Sequence, residues 1–259
     1  MLMKIFKSHF KLVLLQSKLK TQNMKKLILS ILLVSSFISY SQKELIIQKQ
    51  NYIIHYSIEN KVPIYTQYYF TEKNRKKNQV AERSAGFKQD PLVPSDKQAT
   101  NKDYARPYDK GHLTPDDDMK FSTDAEKETM IFTNCAPQFW NFNEVLWRKI
   151  ENYVRDLGED YDTLNVITGI IVDSSSKYIG NKIMVPTYYY KAIQIKMNGR
   201  ELNTIGFICT NKEPLNTTIE NFTISVNKLE KSTKIKMFDN SKYKDNNVLI
   251  IPHIRKKNK

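Results

Sequence analysis

Asp109-Lys110-Gly111-His112, then Asn134-Cys135-Ala136-Pro137-Gln138, then Asn143-Glu144-Val145-Leu146-Trp147 all fall between Tyr104 and Glu151, and this stretch decides how the rest of the chain is read. If Lys110 to Leu113 is extended, its side chains alternate. Lys110 and His112 then project to one side, and Asp109 and Gly111 to the other. A cation and a titratable imidazole share a surface, with Asp109 behind them as an anchor. The chain has four histidines. His9 lies in the leader, and His55 and His253 lack such neighbours. His112 is therefore the candidate general base, since an imidazole near its reference pKa of about 6.5 can take a proton from water at neutral pH.

Downstream, Leu146, Trp147, Ile150, Tyr153, Val154 and Leu157 recur at helical spacing, and Gly158 stands where a C-cap would. A helix over Asn143 to Leu157 is predicted. Asn143 and Glu151 lie two turns apart on it, so their backbones are separated by about 12 Å along the axis. A direct ligand at Asn143 and a water-mediated contact from Glu151 suit that spacing. Amide oxygen plus water fits a hard ion such as Mg²⁺, which keeps most of its hydration shell. Trp147, between them, is read as core packing ahead of base stacking. Arg155, one turn beyond Glu151, could reach a phosphate or pair with that carboxylate. The plain alternatives are an N-cap asparagine at 143, a solvated Glu151, a turn asparagine at 134 and a surface amide at Gln138.

Working outward, Tyr52–Tyr56 and Ile64–Phe70 read as strands with one buried face. Thr71–Asp103 is lysine- and arginine-rich, includes Asn74-Arg75-Lys76-Lys77-Asn78, and reads as a long surface loop. Ser122-Thr123-Asp124 can cap a short helix from Ala125 to Met130. Three further strands are predicted at Leu164–Ile170, Ile183–Met197 with a break at Pro186, and Asn203–Thr210. A short helix follows at Val226–Ile235, with a last strand at Leu249–Ile254. Successive strands with few intervening helices predict an α+β fold, an antiparallel sheet flanked by helices. The tail Arg255–Lys259 is expected to be disordered.

Met24-Lys25-Lys26, the apolar run Leu27–Ile38, and Ser39 and Ser41 have the three regions of a secretory signal. The run is too short to span a bilayer. Residues 1–23 read as an upstream extension, 24–41 as the signal and 42–259 as one domain, exported to a secreted or periplasmic location without a membrane anchor. Of the formal net charge of +14, half comes from seven leader lysines; the remaining 218 residues carry 34 basic and 27 acidic groups. That surface suits a polyanionic partner without demanding one. Cys135 and Cys209 are the only cysteines. They make no disulfide framework and fit either one bridge or two buried thiols.

On these residues the chain resembles the DNA/RNA non-specific endonucleases of the ββα-metal class, the group that includes endonuclease G. Asp109-Lys110-Gly111-His112 is similar to the family tetrad Asp-Arg-Gly-His. Asn134, Pro137, Gln138, Asn143, Trp147, Glu151 and Arg155 follow the downstream pattern. The resemblance extends from about Ile64 to Phe238. It implies His112 as general base, Asn143 as ligand of Mg²⁺ (or Mn²⁺), Glu151 holding a metal-bound water, Asn134 orienting the site and Arg155 contacting the scissile phosphate. It also implies DNA and RNA as substrates and a 5′-phosphate product. Lys110 departs from the family arginine, keeping the charge and losing the bidentate fork. Glu144 stands where glutamine is common. Arg83, Arg106 and Arg148 are further candidate phosphate contacts. Two other classes remain open, a nucleic-acid-binding module with weak turnover and a phosphodiesterase for small substrates on the same fold.

Overall fold

Runs of β-branched, aromatic and other apolar residues build the central sheet. The computed structural model describes residues 44–77, 80–212, 214 and 216–252. The upstream extension, the signal-like segment, His253 and the basic tail lie outside the described residues. The strands are β1 (Glu44–Gln48), β2 (Tyr52–Ser57), β3 (Val62–Thr71), β4 (Tyr108–His112), β5 (Cys135–Phe139), β6 (Thr163–Ile171), β7 (Lys177–Ile179), β8 (Ile183–Val185), β9 (Tyr188–Met197), β10 (Arg200–Thr210) and β11 (Thr223–Ile224). Among them, seven form one sheet in the order β1-β2-β3-β6-β9-β10-β11, antiparallel at every pairing. The helices are α1 (Glu72–Arg75), α2 (Thr123–Thr129), α3 (Arg148–Asp160) and α4 (Val226–Thr233). This is the expected α+β class.

The middle strands are apolar on both faces because a layer packs on each. On β9, Tyr189, Ile193 and Ile195 join the larger core, which also holds Trp147, Ile150, Val154 and Leu157 from the main helix. The intervening Tyr190 and Ala192 join a second core with Val226 and Leu229 of α4, Met237 and Phe238. Gly169 is required by this packing, since a Cβ there would run into the Tyr190 ring. Pro186 separates β8 from β9, as its missing N–H demands. Ser122 caps α2, accepting the Ala125 N–H at 3.3 Å. None of the helices among the described residues is long and apolar enough to cross a membrane.

Four expectations need correction. The main helix begins with a π-helical turn, Phe142–Trp147, so Asn143 sits within its first turn rather than at the N-cap. It ends at Asp160 with Tyr161 as cap; Gly158 is instead a close-packing position, where a Cβ would meet Phe70 and Arg75. Segment 71–103 is not merely surface loop, because Phe87, Asp90, Val93, Gln98 and Ala99 are buried. Residues 249–252 form no strand; the Tyr153 hydroxyl donates to the Ile250 carbonyl at 3.0 Å and ties that segment to α3. Cys135 and Cys209 are both buried and unbridged.

Candidate active site

β4 and β5 pair as a separate two-stranded hairpin, with Asp109 opposite Gln138 and His112 opposite Cys135. The π-turn and α3 follow directly, giving strand, strand and helix in the order expected for a ββα unit. Gly111 is obligatory, because any Cβ would overlap the Gln138 side chain. Gln138 is fully buried, not a surface amide. A further side chain, Asn211, bonds the Phe139 N–H and the Pro137 and Pro186 carbonyls and pins the hairpin to the sheet.

Lys110 and His112 do share a side. The Lys110 ammonium lies 5.8 Å from the Phe87 ring centroid and 5.7 Å from that of Tyr104. The His112 ring is 4.7 Å from Phe87. His112 is buried, and its Nε2 has no protein partner. Burial lowers its pKa from the ordinary 6.5 to about 4, and the Asp116 carboxylate opposes that shift. The expected value near 6.5 is therefore corrected downward; the ring is neutral at pH 7, the form a base requires.

On the other side, Asp109 accepts from the Asn143 amide nitrogen at 3.3 Å and lies 3.7 Å from Arg106. With its NH₂ so engaged, the carbonyl end of Asn143 is the end left for a cation. Such an anchoring contact orients a ligand. Glu151 is half-buried, and its pKa is raised to about 7 by burial, with Lys191 and Arg155 pulling it down and Asp118 and Asp116 pushing it up. Asp116 thus lies within electrostatic range of both His112 and Glu151 of the candidate catalytic recess. Among the described residues, no cluster of three or more His, Cys, Asp or Glu could hold a metal. An amide oxygen with a neighbouring carboxylate and water is the donor set left, and it fits a hydrated Mg²⁺.

Asn134 is fully buried, and its amide is wholly used by backbone. Its oxygen accepts the Thr114 N–H at 3.0 Å, and its nitrogen donates to the Thr114 and Thr129 carbonyls at 2.9 Å each. It fixes the turn after His112 and has nothing left for a phosphate, so its place is that of a positioning residue. Arg155 pairs with Asp118 at 3.0 Å and donates to Asn152 at 2.7 Å. Its partner is therefore Asp118 ahead of Glu151. Asp118 also accepts the Tyr68 hydroxyl at 2.5 Å. Arg83 lies 3.5 Å from Asp116, and Arg148 pairs at 4.0 Å with Glu144, both exposed.

Sequence reasoning missed Asp116, Asp118, Lys191 and Phe87. The first two belong to an acidic run just after His112. Lys191 interrupts an apolar strand at an inward position, which alternation could have flagged. Its ammonium is fully buried, donates to Thr168 at 2.6 Å and lies 5.0 Å from the Trp147 ring. Burial lowers its pKa to about 8, against the pull of Glu151 and Asp118. Trp147 is buried against Phe142 and Tyr189, the packing role expected for it.

The profile of the DNA/RNA non-specific endonuclease family matches residues 33–244. The chain belongs to that family. Among curated family relatives, the mitochondrial nuclease EXOG of Xenopus laevis is 34% identical over 127 residues, covering 44% of this chain and 36% of the relative. Human mitochondrial endonuclease G is 29% identical over 165 residues, covering 58% of this chain and 55% of its own. The matched segments thus span only about a third to a half of these relatives. A solved structure of EndoG in complex with EndoGI superposes with a TM-score of 0.70 at 26% identity, over 80% of this chain and 91% of that one.

Proposed function

We propose that residues 42–259 form one exported domain, a Mg²⁺-dependent endonuclease that hydrolyses phosphodiester bonds of DNA and RNA to 5′-phosphate ends. The single observation that carries this reading is the His112 imidazole. It is neutral, sheltered and unpartnered at Nε2, three residues along the same strand from Asp109, which holds the Asn143 amide. Family membership and the relatives named as nucleases support the activity. The signal-like leader supports export, although the curated relatives cited are named mitochondrial.

Asn143 would hold the cation through its amide oxygen, with Glu151 nearby. When bound, Mg²⁺ supplies Lewis-acid stabilisation of the charge that develops on the phosphate and the leaving oxygen. His112 takes the proton of the attacking water through Nε2. Its low resting pKa makes it a weak base until an anionic phosphate enters and raises it. Glu151 orients water in the recess as it ionises. Lys110 meets backbone phosphate as a point charge from its cage of two rings. Arg155 offers phosphate the donors not taken by Asp118 and Asn152.

The deciding experiment is digestion of plasmid and ribosomal RNA by the full chain and by residues 42–259, in Mg²⁺, in Mn²⁺ and in chelator. Cleavage of both polymers with a divalent ion and none in chelator is expected, falling steeply with salt. Mobility shift without cleavage would make the chain a binding module. Hydrolysis confined to a small phosphodiester would make it a small-substrate enzyme.

A further inference from the structure

The open end of the hairpin carries a feature that none of these roles uses. The chain has two tryptophans. Trp147 is 1% exposed, whereas Trp140 is 39% exposed. Trp140 is nevertheless held firmly in place. Its backbone N–H donates to the Pro107 carbonyl at 2.8 Å, and the Arg106 guanidinium carbon lies 4.9 Å from its ring centroid. Arg106 is itself exposed and reaches Asp109, whose carboxylate holds Asn143. A continuous line of contacts therefore joins the indole to the proposed cation ligand. Beneath it, Tyr108 and Phe139 face one another across the hairpin, edge to face.

An exposed indole braced by a guanidinium is a poor use of apolar surface in a protein that acts alone. It is a good platform for a flat ring attached to a phosphate chain, because the ring stacks while the cation meets the anion. We propose that Trp140 and Arg106 form a stacking subsite for a nucleobase in an unpaired segment of polynucleotide, one step from the scissile phosphate. The proposal rests on the hydrolytic reading above and deepens it. Every base has a π face, so such a platform adds affinity without sequence preference. It favours single-stranded or distorted substrate, whose bases are free to leave their own stack.

Both tryptophans emit, but with Trp147 buried only Trp140 is open to contact with a base, so contact quenching reports Trp140. Titration in chelator with a short oligothymidylate should quench it, and Trp140→Phe should abolish the quenching. An abasic oligonucleotide of equal length should bind about tenfold more weakly and quench little. With Mg²⁺, Trp140→Ala should raise KM for single-stranded DNA about tenfold with a smaller change in kcat, and Trp140→Phe should recover most of that loss. Equal binding of normal and abasic strands by the unaltered chain overturns the subsite, as does an unchanged KM in Trp140→Ala. If the chain still cuts DNA, only the subsite falls. A chain that neither binds nor cuts removes the hydrolytic reading as well. The abasic comparison uses the unaltered protein and so stands however the variants fold.

Discussion

The turn between β4 and β5 and the recess beside it are equally sheltered from water, yet they treat polar groups in opposite ways. In the turn, both amide protons and the carbonyl oxygen of Asn134 are engaged by backbone at Thr114 and Thr129. In the recess, His112 Nε2 is buried with no hydrogen-bond partner, and Asp116 Oδ2 has the Arg83 guanidinium at 3.5 Å but no hydrogen bond. A buried polar group without a partner costs about 1–3 kcal/mol. The scaffold avoids that cost, while the recess carries it where an incoming phosphate and its water could relieve it. The difference separates residues that hold the site from residues that act in it, and each can be tested from its own side.

The largest effect belongs to the recess. His112→Ala should lower single-turnover cleavage of plasmid DNA by about 10²–10⁴-fold while leaving the melting temperature at neutral pH almost unchanged. Asn134→Ala should do the reverse in kind. By stranding the Thr114 amide and two carbonyls it should cost several kcal/mol of stability in urea unfolding, on the order of 1–3 for each group, and lose activity only with the fold. A variant of Asn134 that stays folded but loses turnover alone would move that residue into the recess. Asp109→Ala lies on the boundary between the two. Freeing the Asn143 amide should raise the Mg²⁺ needed for half-maximal cleavage by about 10–100-fold, read from a metal titration at saturating substrate.

The pH dependence of stability sharpens the same contrast. His112 titrates at about 4 when folded against an ordinary 6.5. Between these values the unfolded chain binds a proton that the folded chain refuses, so stability is lost as pH falls through that window. Glu151, at about 7 against 4.5, has the opposite sign. Its folded form holds the extra proton, so stability declines as pH rises from 4.5 to 7, and Glu151→Gln should melt higher than the unaltered chain at pH 8. The smallest effect is expected of Lys110→Arg. Restoring the planar fork in a cage of two rings should change KM for DNA only a few-fold, in the direction of tighter binding.

Local pattern made much of this molecule legible. Runs of apolar, β-branched and aromatic residues marked β2, β3, β6, β9 and β10, Pro186 marked the break before β9, and six apolar positions at helical spacing marked the buried face of the main helix. Each of those signals is a property of a few consecutive residues. What escaped was set by distant ones. Arg155 and Asp118 are 37 residues apart in sequence. Phe87 comes from a segment whose charge read as solvated, yet its ring backs both Lys110 and His112. The π-turn at Phe142–Trp147 also left no periodic trace, because one wider turn shifts the register of only the residues before it. That shift governs how Asn143 stands relative to Glu151. Thus the candidate residues could be named from motif and spacing, but their partners and protonation states could not.

The two unbridged thiols, Cys135 inside the hairpin and Cys209 on the sheet, carry a consequence for the cell that makes this protein. No oxidant is required to lock the fold, so a glutathione-rich cytosol would not keep a newly made chain dormant. An enzyme of the proposed kind would be dangerous from the moment of synthesis.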